Sequence, residues 1–97
     1  MPTYISLTSW TEQGIKNYKD TVDRSKAAGE AVASLGGTIR DIYSTIGPYD
    51  IVVVADFPDD ETGTAFLLKL GAIGNVRSTT MRAFSADEMA RIIEQAG

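Results

Sequence analysis

The sequence predicts an α+β fold of the ferredoxin-like type, with a four-stranded antiparallel sheet, two helices on one face and a further helix at the C-terminus. Four segments have the apolar alternation or the continuous apolar run that is typical of strands. Two longer segments between them carry apolar residues at helical spacing and end at glycines. A turn of hairpin length joins the two middle strands, which gives the order β-α-β-β-α-β within one domain, residues 1–97.

The first strand and the first helix come from the N-terminal third of the chain. Thr3–Trp10 alternates, with Ile5 and Leu7 on one face and polar or aromatic residues on the other, which predicts a half-buried strand. The helix that follows ends at Gly36-Gly37, because glycine readily takes the left-handed conformation of a helix C-cap. The stretch 11–19 is predicted as a separate first turn or a loop.

The second and third strands differ in character. Thr38–Thr45 alternates imperfectly, because a simple strand puts Ile39 and Tyr43 on the same face as Asp41, with Ile42 on the opposite face. Tyr49–Phe57 is the most apolar segment, which predicts a central strand covered on both faces. Only the short turn at 46–49 joins the two strands, so they are expected to be antiparallel neighbours.

The C-terminal half predicts helix, strand and helix. The segment 58–74 begins with acidic residues, which suit the positive end of a helix dipole, and it ends in glycines. Its predicted buried stripe consists of Ala65, Leu68 and Ala72, widened by Phe66, Leu67 and Leu70. Asn75–Phe84 is the fourth strand, and Ser85 with Glu88 forms a capping box for the last helix. That helix has an apolar side made by Met89, Ile92 and Ile93.

Composition restricts the chemistry. The chain has no cysteine and no histidine, so it lacks thiolate ligands, the commonest general base and the usual haem ligand, and we expect no cofactor and no metal site. The acidic run at 58–61 fits helix capping better than a cation loop. The net charge is −4 with dispersed basic residues, so nucleic acid is not an expected partner. No segment predicts a membrane span or a signal peptide, and a cytoplasmic location is expected.

The third strand also predicts self-association. Two helices cover only one face of the sheet, and a second copy of the chain is the natural cover for the other, giving a dimeric barrel. Polar residues on the strands then either line a ligand cavity or lie within a packed interface. The candidates for such a lining are Ser6, Thr8, Thr79 and Thr80, with Arg77 or Arg82.

Several segments together resemble one protein family. The stretch TIGPYDIVVVADFPDDE resembles the signature of the GYD-domain family, which is named for its Gly-x-Tyr-Asp turn. Supporting segments are YISLTSWTEQGIKN, LGG and LGAIGNVRSTTMRAF, so the resemblance covers nearly the whole chain. It implies the fold and the paired assembly of the dimeric α+β-barrel superfamily, and it implies almost no particular chemistry.

The turn Gly47-Pro48-Tyr49-Asp50 has two interpretations. Pro48 presets the backbone angle of a tight turn and Asp50 can accept hydrogen bonds from loop amides, so the turn has a structural role. In the functional interpretation, the Tyr49 hydroxyl and the Asp50 carboxylate reach a ligand at the sheet edge, where either can act as acid or base.

Further candidate ligand-binding residues are two aromatics, an amide and an arginine, namely Trp10, Tyr43, Asn75 and Arg77. Trp10 stands at a strand end, where such a side chain seals a core or stacks on a ligand. Arg77 and Arg82 have opposite parity, so we expect one to form a salt bridge and the other to be available for an anionic ligand. The acidic candidates for the salt bridge are Asp41, Asp50 and Asp56.

Three functional hypotheses follow. The first is a homodimeric module that binds a small molecule or a partner protein, which is favoured because no convincing acid–base pair or nucleophile is apparent. The second is a cofactor-independent enzyme, oxygenase-like or isomerase-like, acting in the cavity of the barrel. The third is a purely structural assembly protein.

Overall fold

Four antiparallel strands form one sheet with the spatial order β2-β3-β1-β4. The structure is a computed structural model that describes all 97 residues. The strands are β1 Thr3–Trp10, β2 Thr38–Ser44, β3 Ile51–Asp56 and β4 Val76–Ala83. The helices are α1 Glu12–Lys16, α2 Thr21–Ser34, α3 Asp60–Ile73 and α4 Ala86–Ala96, with a 3-10 turn at Tyr18–Asp20. The predicted ferredoxin-like order and the β2–β3 hairpin are confirmed.

The register of β1 assigns the side chains of the sheet to two faces. Tyr4 pairs with Ala55 and Arg82, and Ser6 pairs with Val53 and Thr80, so all of these lie on the face beneath α2 and α3. The residues between these along each strand point to the opposite face of the sheet, which no helix covers and which we call the helix-free face. It carries Ile5, Leu7, Tyr43, Val52, Val54 and Met81.

A β-bulge resolves the irregular pattern of β2. The register shifts between Ile39 and Asp41, so Arg40 is the extra residue and Ile39 pairs with Ala55. Ile39 therefore lies beneath the helices with the core, and Asp41 lies on the helix-free face. The expectation that Ile39 and Asp41 share a face is wrong, because a bulge adds one residue and inverts the alternation beyond it.

The stretch after β1 forms ordered structure. Thr11 caps α1 by accepting a hydrogen bond from the Gly14 N–H at 3.1 Å. The guanidinium of Arg24 on α2 donates to the carbonyls of Gly14 and Asn17, which ties α2 to the end of α1.

Gly36, with a φ of +81°, follows the end of α2 as the glycine pattern predicts.

Helix α3 buries the residues predicted to widen its stripe, and it exposes the three predicted to form the centre of the stripe. Ala65, Leu68 and Ala72 are exposed, and Leu68 retains 71% of its accessible surface. The side that faces the sheet consists of Gly63, Phe66, Leu67 and Leu70. Periodicity alone did not distinguish these stripes, because α3 is apolar over more than one face and only its docking angle selects the buried one.

The packed core is small. Its buried apolar members are Tyr4, Val32, Ala55 and Phe57. Tyr4 and Phe57 meet edge to face at 5.7 Å between ring centroids, and Phe57 and Phe66 lie 5.6 Å apart. Gly63 and Gly37 let their backbones approach the Phe57 ring, since a Cβ at either position would lie within 3.3 Å of it. The core is therefore concentrated where β3 leads into α3.

The predicted capping box at the start of α4 is confirmed. The Ser85 hydroxyl accepts from the Glu88 N–H at 3.1 Å, and the Glu88 carboxylate accepts from the Ser85 N–H at 3.0 Å. Arg82 on β4 forms an ion pair of 3.8 Å with Glu88.

The apolar side of α4 is left open, with Met89 46% and Ile93 60% exposed. No helix of the chain combines the length and the apolar character needed to span a bilayer.

The chain exposes more surface than a compact monomer of its mass. Its accessible surface is 6585 Å², whereas a monomer of this mass exposes about 5,400 Å². Its radius of gyration is 14.5 Å, against about 12.5 Å for a compact chain of this length. The excess of about 1,200 Å² exceeds the ~800 Å² that each partner buries in a standard protein–protein interface.

A matched pair of glycine substitutions tests how tightly α1 docks on the sheet. A Cβ at Gly14 would lie 1.9 Å from the backbone oxygen of Asn75, so Gly14→Ala is expected to destabilise the fold by about 2 kcal/mol. A Cβ at Gly29 in α2 would meet no atom from outside its own helix within 4 Å, so Gly29→Ala is expected to stabilise the fold by about 0.5–1 kcal/mol. Urea unfolding followed by circular dichroism measures both. Equal effects of the two substitutions would contradict this docking.

Candidate functional site

A cavity of about 350 Å³ lies between the sheet and the helices α2 and α3. Its roof is apolar and includes Ala28, Val32, Phe66, Leu67 and Leu70. Its floor is the helix-facing side of the sheet. The floor is apolar over β2 and β3, and it is lined with hydroxyl groups over β1 and β4. The cavity therefore has one apolar wall and one hydrogen-bonding wall.

Four hydroxyl groups form two cross-strand pairs on this floor. Ser6 and Thr80 lie opposite each other with their oxygens 2.8 Å apart, and Thr8 and Ser78 form a second pair at 3.4 Å. Thr8 is 5% exposed, Ser6 and Thr80 are half-buried, and Ser78 is exposed at the edge strand. Each hydroxyl can donate one hydrogen bond and accept two, so pairing leaves capacity directed into the cavity.

Tyr4 closes one end of the cavity. Its hydroxyl donates to the carboxylate of Asp60 in the first turn of α3, and the Arg82 guanidinium lies 5.7 Å from its ring centroid. Burial, together with the hydrogen bond and the negative charge of Asp60, raises the pKa of Tyr4 to about 12. At neutral pH Tyr4 is thus a protonated hydrogen-bond donor and a poor general base.

The structure brings three of the predicted site residues together at the opposite end of β1. The Trp10 N–H donates to Asp50 Oδ2 at 2.8 Å, and the Thr11 N–H donates to the Asn75 carbonyl at 3.0 Å. The Gln13 amide donates to Asn75 Oδ1 at 2.9 Å. Asp50 thus accepts a backbone N–H, but from the end of β1 and not from the loop that its structural interpretation predicts. Asn75 joins α1 to β4 by hydrogen bonds.

The remaining predicted site residues are separated from this cluster. The Tyr49 carbonyl accepts from the Thr45 hydroxyl at 2.6 Å in the β2–β3 turn, where Gly47 has a φ of +140°. Tyr43 is 61% exposed on the helix-free face, and Arg77 is exposed at the far edge on β4. The six residues therefore do not converge on one site, and their ligand-binding role stays a prediction.

The arginines on β4 face opposite sides, as their parity predicts. Arg82 lies on the helix side with Tyr4, and Arg77 pairs in register with Ser9 on the other side. One of the two forms a salt bridge, as expected, but its acidic partner is none of the predicted Asp41, Asp50 and Asp56. Arg82 pairs with Glu88, Asp56 lies 3.8 Å from Arg40, and Arg77 forms no salt bridge. Chain reversal at Phe84–Ser85 brings Glu88 back over Arg82, a local contact that strand parity does not reveal.

The helix-free face is an apolar surface with polar edges. Ile5, Leu7, Val52 and Val54 form its centre and remain half-buried. Thr79 and Arg77 lie on this face, whereas Ser6, Thr8, Thr80 and Arg82 lie beneath the helices. The predicted polar lining is thus divided between the two faces, and most of its hydroxyls belong to the helix–sheet cavity.

Sequence reasoning missed the Tyr4–Asp60 pair. A signal was present, because Tyr4 shares the parity of Ser6 and Thr8, so one strand face combines an aromatic with two hydroxyls. The neighbouring Asp59 is the N-cap of α3, accepting from the Thr62 N–H at 2.8 Å, as the acidic start predicts. The inward direction of Asp60 depends on how α3 docks, and local sequence does not specify it.

Comparisons with known proteins agree with this architecture. The model of the GYD domain family matches residues 4–93. The chain is 31% identical over 94 residues to the glutamine synthetase and cystathionine beta-lyase binding protein of Thermus thermophilus, covering 95% of this chain and 99% of that protein. It is also similar to the crystal structure of TTHA0845 from Thermus thermophilus, with a TM-score of 0.57 and 28% identity. That match covers 89% of this chain and 96% of the other.

The pKa of Tyr4 tests the Tyr4–Asp60 hydrogen bond at the end of the cavity. Because its pKa is raised, the folded state retains the proton longer than the unfolded state does, and this contribution to stability is lost as the pH rises from about 10 to about 12. Ultraviolet titration of wild type minus Tyr4→Phe is expected to isolate a tyrosinate transition near pH 12. Asp60→Asn should move that transition to lower pH. A Tyr4 transition near pH 10 in the wild type as well as in Asp60→Asn would contradict the Tyr4–Asp60 contact.

Proposed function

The chain belongs to the GYD domain family, and from that membership we propose that it is a homodimeric protein-interaction module of the cytoplasm. Its proposed partners are enzymes of the kind named for its Thermus thermophilus relative, glutamine synthetase and cystathionine β-lyase. The observation that carries the proposal is the excess of exposed surface, about 1,200 Å² beyond that of a compact monomer. That relative matches this chain almost from end to end, so the likeness extends over the whole of the named binding protein.

Self-association is proposed at the helix-free face of the sheet. Its centre is a half-buried apolar surface made by two neighbouring strands, with Tyr43 and Met81 beside it. An apolar sheet face packs well against a second sheet, and a second copy supplies one of the same shape and chemistry. Burial of this face in a dimer would account for the larger part of the excess surface.

Enzyme binding is proposed at the apolar side of α4. Met89, Ile92, Ile93 and Ala96 occupy positions i, i+3, i+4 and i+7, the spacing of a helix that docks in a groove of a larger protein. The helix is held to β4 by its capping box and by the Arg82–Glu88 ion pair, which leave this side open. A single helix suits a groove, whereas an open sheet face suits another sheet.

Binding is favoured over catalysis. General acid–base catalysis is most efficient with a group whose pKa lies near the operating pH. Tyr4, the buried titratable group of the cavity, has a pKa moved away from neutral pH. The enzymatic alternative therefore lacks an observation comparable to the exposed apolar surfaces.

A charge placed on the helix-free face tests the dimer. Leu7→Glu is expected to convert the dimer to a monomer, because two carboxylates would lie buried and unpaired at the centre of the interface. Light scattering after gel filtration measures the mass, and circular dichroism confirms the fold. Leu68→Glu, a matched change at an exposed site on α3, is expected to leave the dimer intact. A monomeric wild type at micromolar concentration would refute the assembly.

A second pair of variants tests enzyme binding. Ile93→Asp is expected to weaken binding to purified glutamine synthetase or cystathionine β-lyase about tenfold or more, as loss of an apolar anchor does. Gln95→Asp, in the same helix outside the apolar positions, serves as the control and is expected to bind as wild type does. Biolayer interferometry with each immobilised enzyme gives the affinities. No binding of wild type to either enzyme would remove the proposed partners while leaving the dimer prediction standing.

A further inference from the structure

The floor of the helix–sheet cavity has an unusual composition for a surface beneath two helices. Sheet faces that pack against helices are normally filled with large apolar side chains, and interiors contain few voids larger than a water molecule. Here β1 and β4 contribute Ser6, Thr8, Ser78 and Thr80. These small side chains leave a space of about 350 Å³ in a chain whose packed core is small.

The hydroxyl floor is costly if its only role is to pack. The buried Thr8 hydroxyl has only the exposed Ser78 hydroxyl, at 3.4 Å, as its side-chain partner, whereas the half-buried Ser6 and Thr80 hydroxyls pair at 2.8 Å. A hydroxyl withdrawn from water costs free energy unless it is well paired. A leucine at position 6 or 80 would fill part of the void and remove a polar group at once. The fold is therefore less stable with these hydroxyl residues than it would be with apolar side chains in their place. Such a loss of stability is typical of a binding cavity.

We propose that this cavity binds a neutral small molecule with one or two rings that bears a hydroxyl or carbonyl group. The volume of 350 Å³ falls at the lower end of the ~300–1,000 Å³ range of small-molecule sites. The apolar roof, with Val32, Phe66 and Leu67, receives the rings. The cross-strand hydroxyls receive the polar group as donors or acceptors.

The charged groups at the end of the cavity indicate that the ligand is uncharged. Asp60 accepts the Tyr4 hydroxyl. Arg82 is occupied by the Glu88 carboxylate and by the carbonyls of Thr3 and Ala83. Neither charge is left without a partner, so an ionic ligand would have to displace existing contacts. The site lies on the opposite side of the sheet from the proposed dimer face, so this proposal does not depend on the dimer.

The test uses 1-naphthol, a neutral two-ring phenol, as the probe. Calorimetric titration into the full chain is expected to show saturable binding with one probe per chain. Thr80→Val removes a hydroxyl and keeps the shape, and it is expected to weaken binding about 5–10-fold. Thr79→Val is the matched control on the adjacent residue of the same strand, which faces the other side, and it should bind as wild type does.

A filling variant separates a binding cavity from loose packing. Ser6→Leu is expected to abolish probe binding while leaving the urea midpoint unchanged or higher, because it fills the void. Retention of binding by Ser6→Leu would overturn the proposal. So would equal loss in Thr80→Val and Thr79→Val, or the absence of saturable binding to wild type at up to about 1 mM probe. If Ser6→Leu fails to fold, the pair of valine variants decides the question.

Discussion

Strand β1 lies between β3 and β4, and the alternation of its side chains decides what each side of the protein can do. Tyr4, Ser6 and Thr8 form the polar floor beneath the helices, while Ile5 and Leu7 form the apolar centre of the opposite face. Because the side-chain period of a strand is two, a shift of one residue would exchange these surfaces. Pairing on both edges of β1 prevents that shift, so the cavity and the proposed dimer face depend on one register.

The aromatic cluster at one end of the sheet explains how a partly open cavity beneath the helices is tolerated. Phe57 contacts both Tyr4 and Phe66, and the backbone approaches its ring closely at Gly63 in α3 and at Gly37 between α2 and β2. This cluster holds the helices over the sheet at that end, while the hydroxyl-bearing strands leave space beyond it. A small core of this kind contributes limited hydrophobic stabilisation, and burial of the helix-free face in an assembly would add to it.

The sequence by itself determined the element order, the hairpin and the helix ends. These features depend on short-range physics: Gly36 takes a left-handed cap, Ser85 and Glu88 satisfy each other's amides, and Asp59 caps α3. The parity of the β4 arginines was also readable, because neighbouring positions on a strand face opposite sides. The family resemblance follows from the same local segments, and the family match confirms it.

Only the tertiary structure decided which faces meet. The bulge at Arg40 moves Ile39 to the core side, and the docking of α3 turns Asp60 towards Tyr4 and leaves Leu68 outside. The division of the polar strand residues between cavity and outer face also required the register. These outcomes depend on contacts between residues far apart in sequence, where several packings satisfy the same local pattern and the global arrangement selects one.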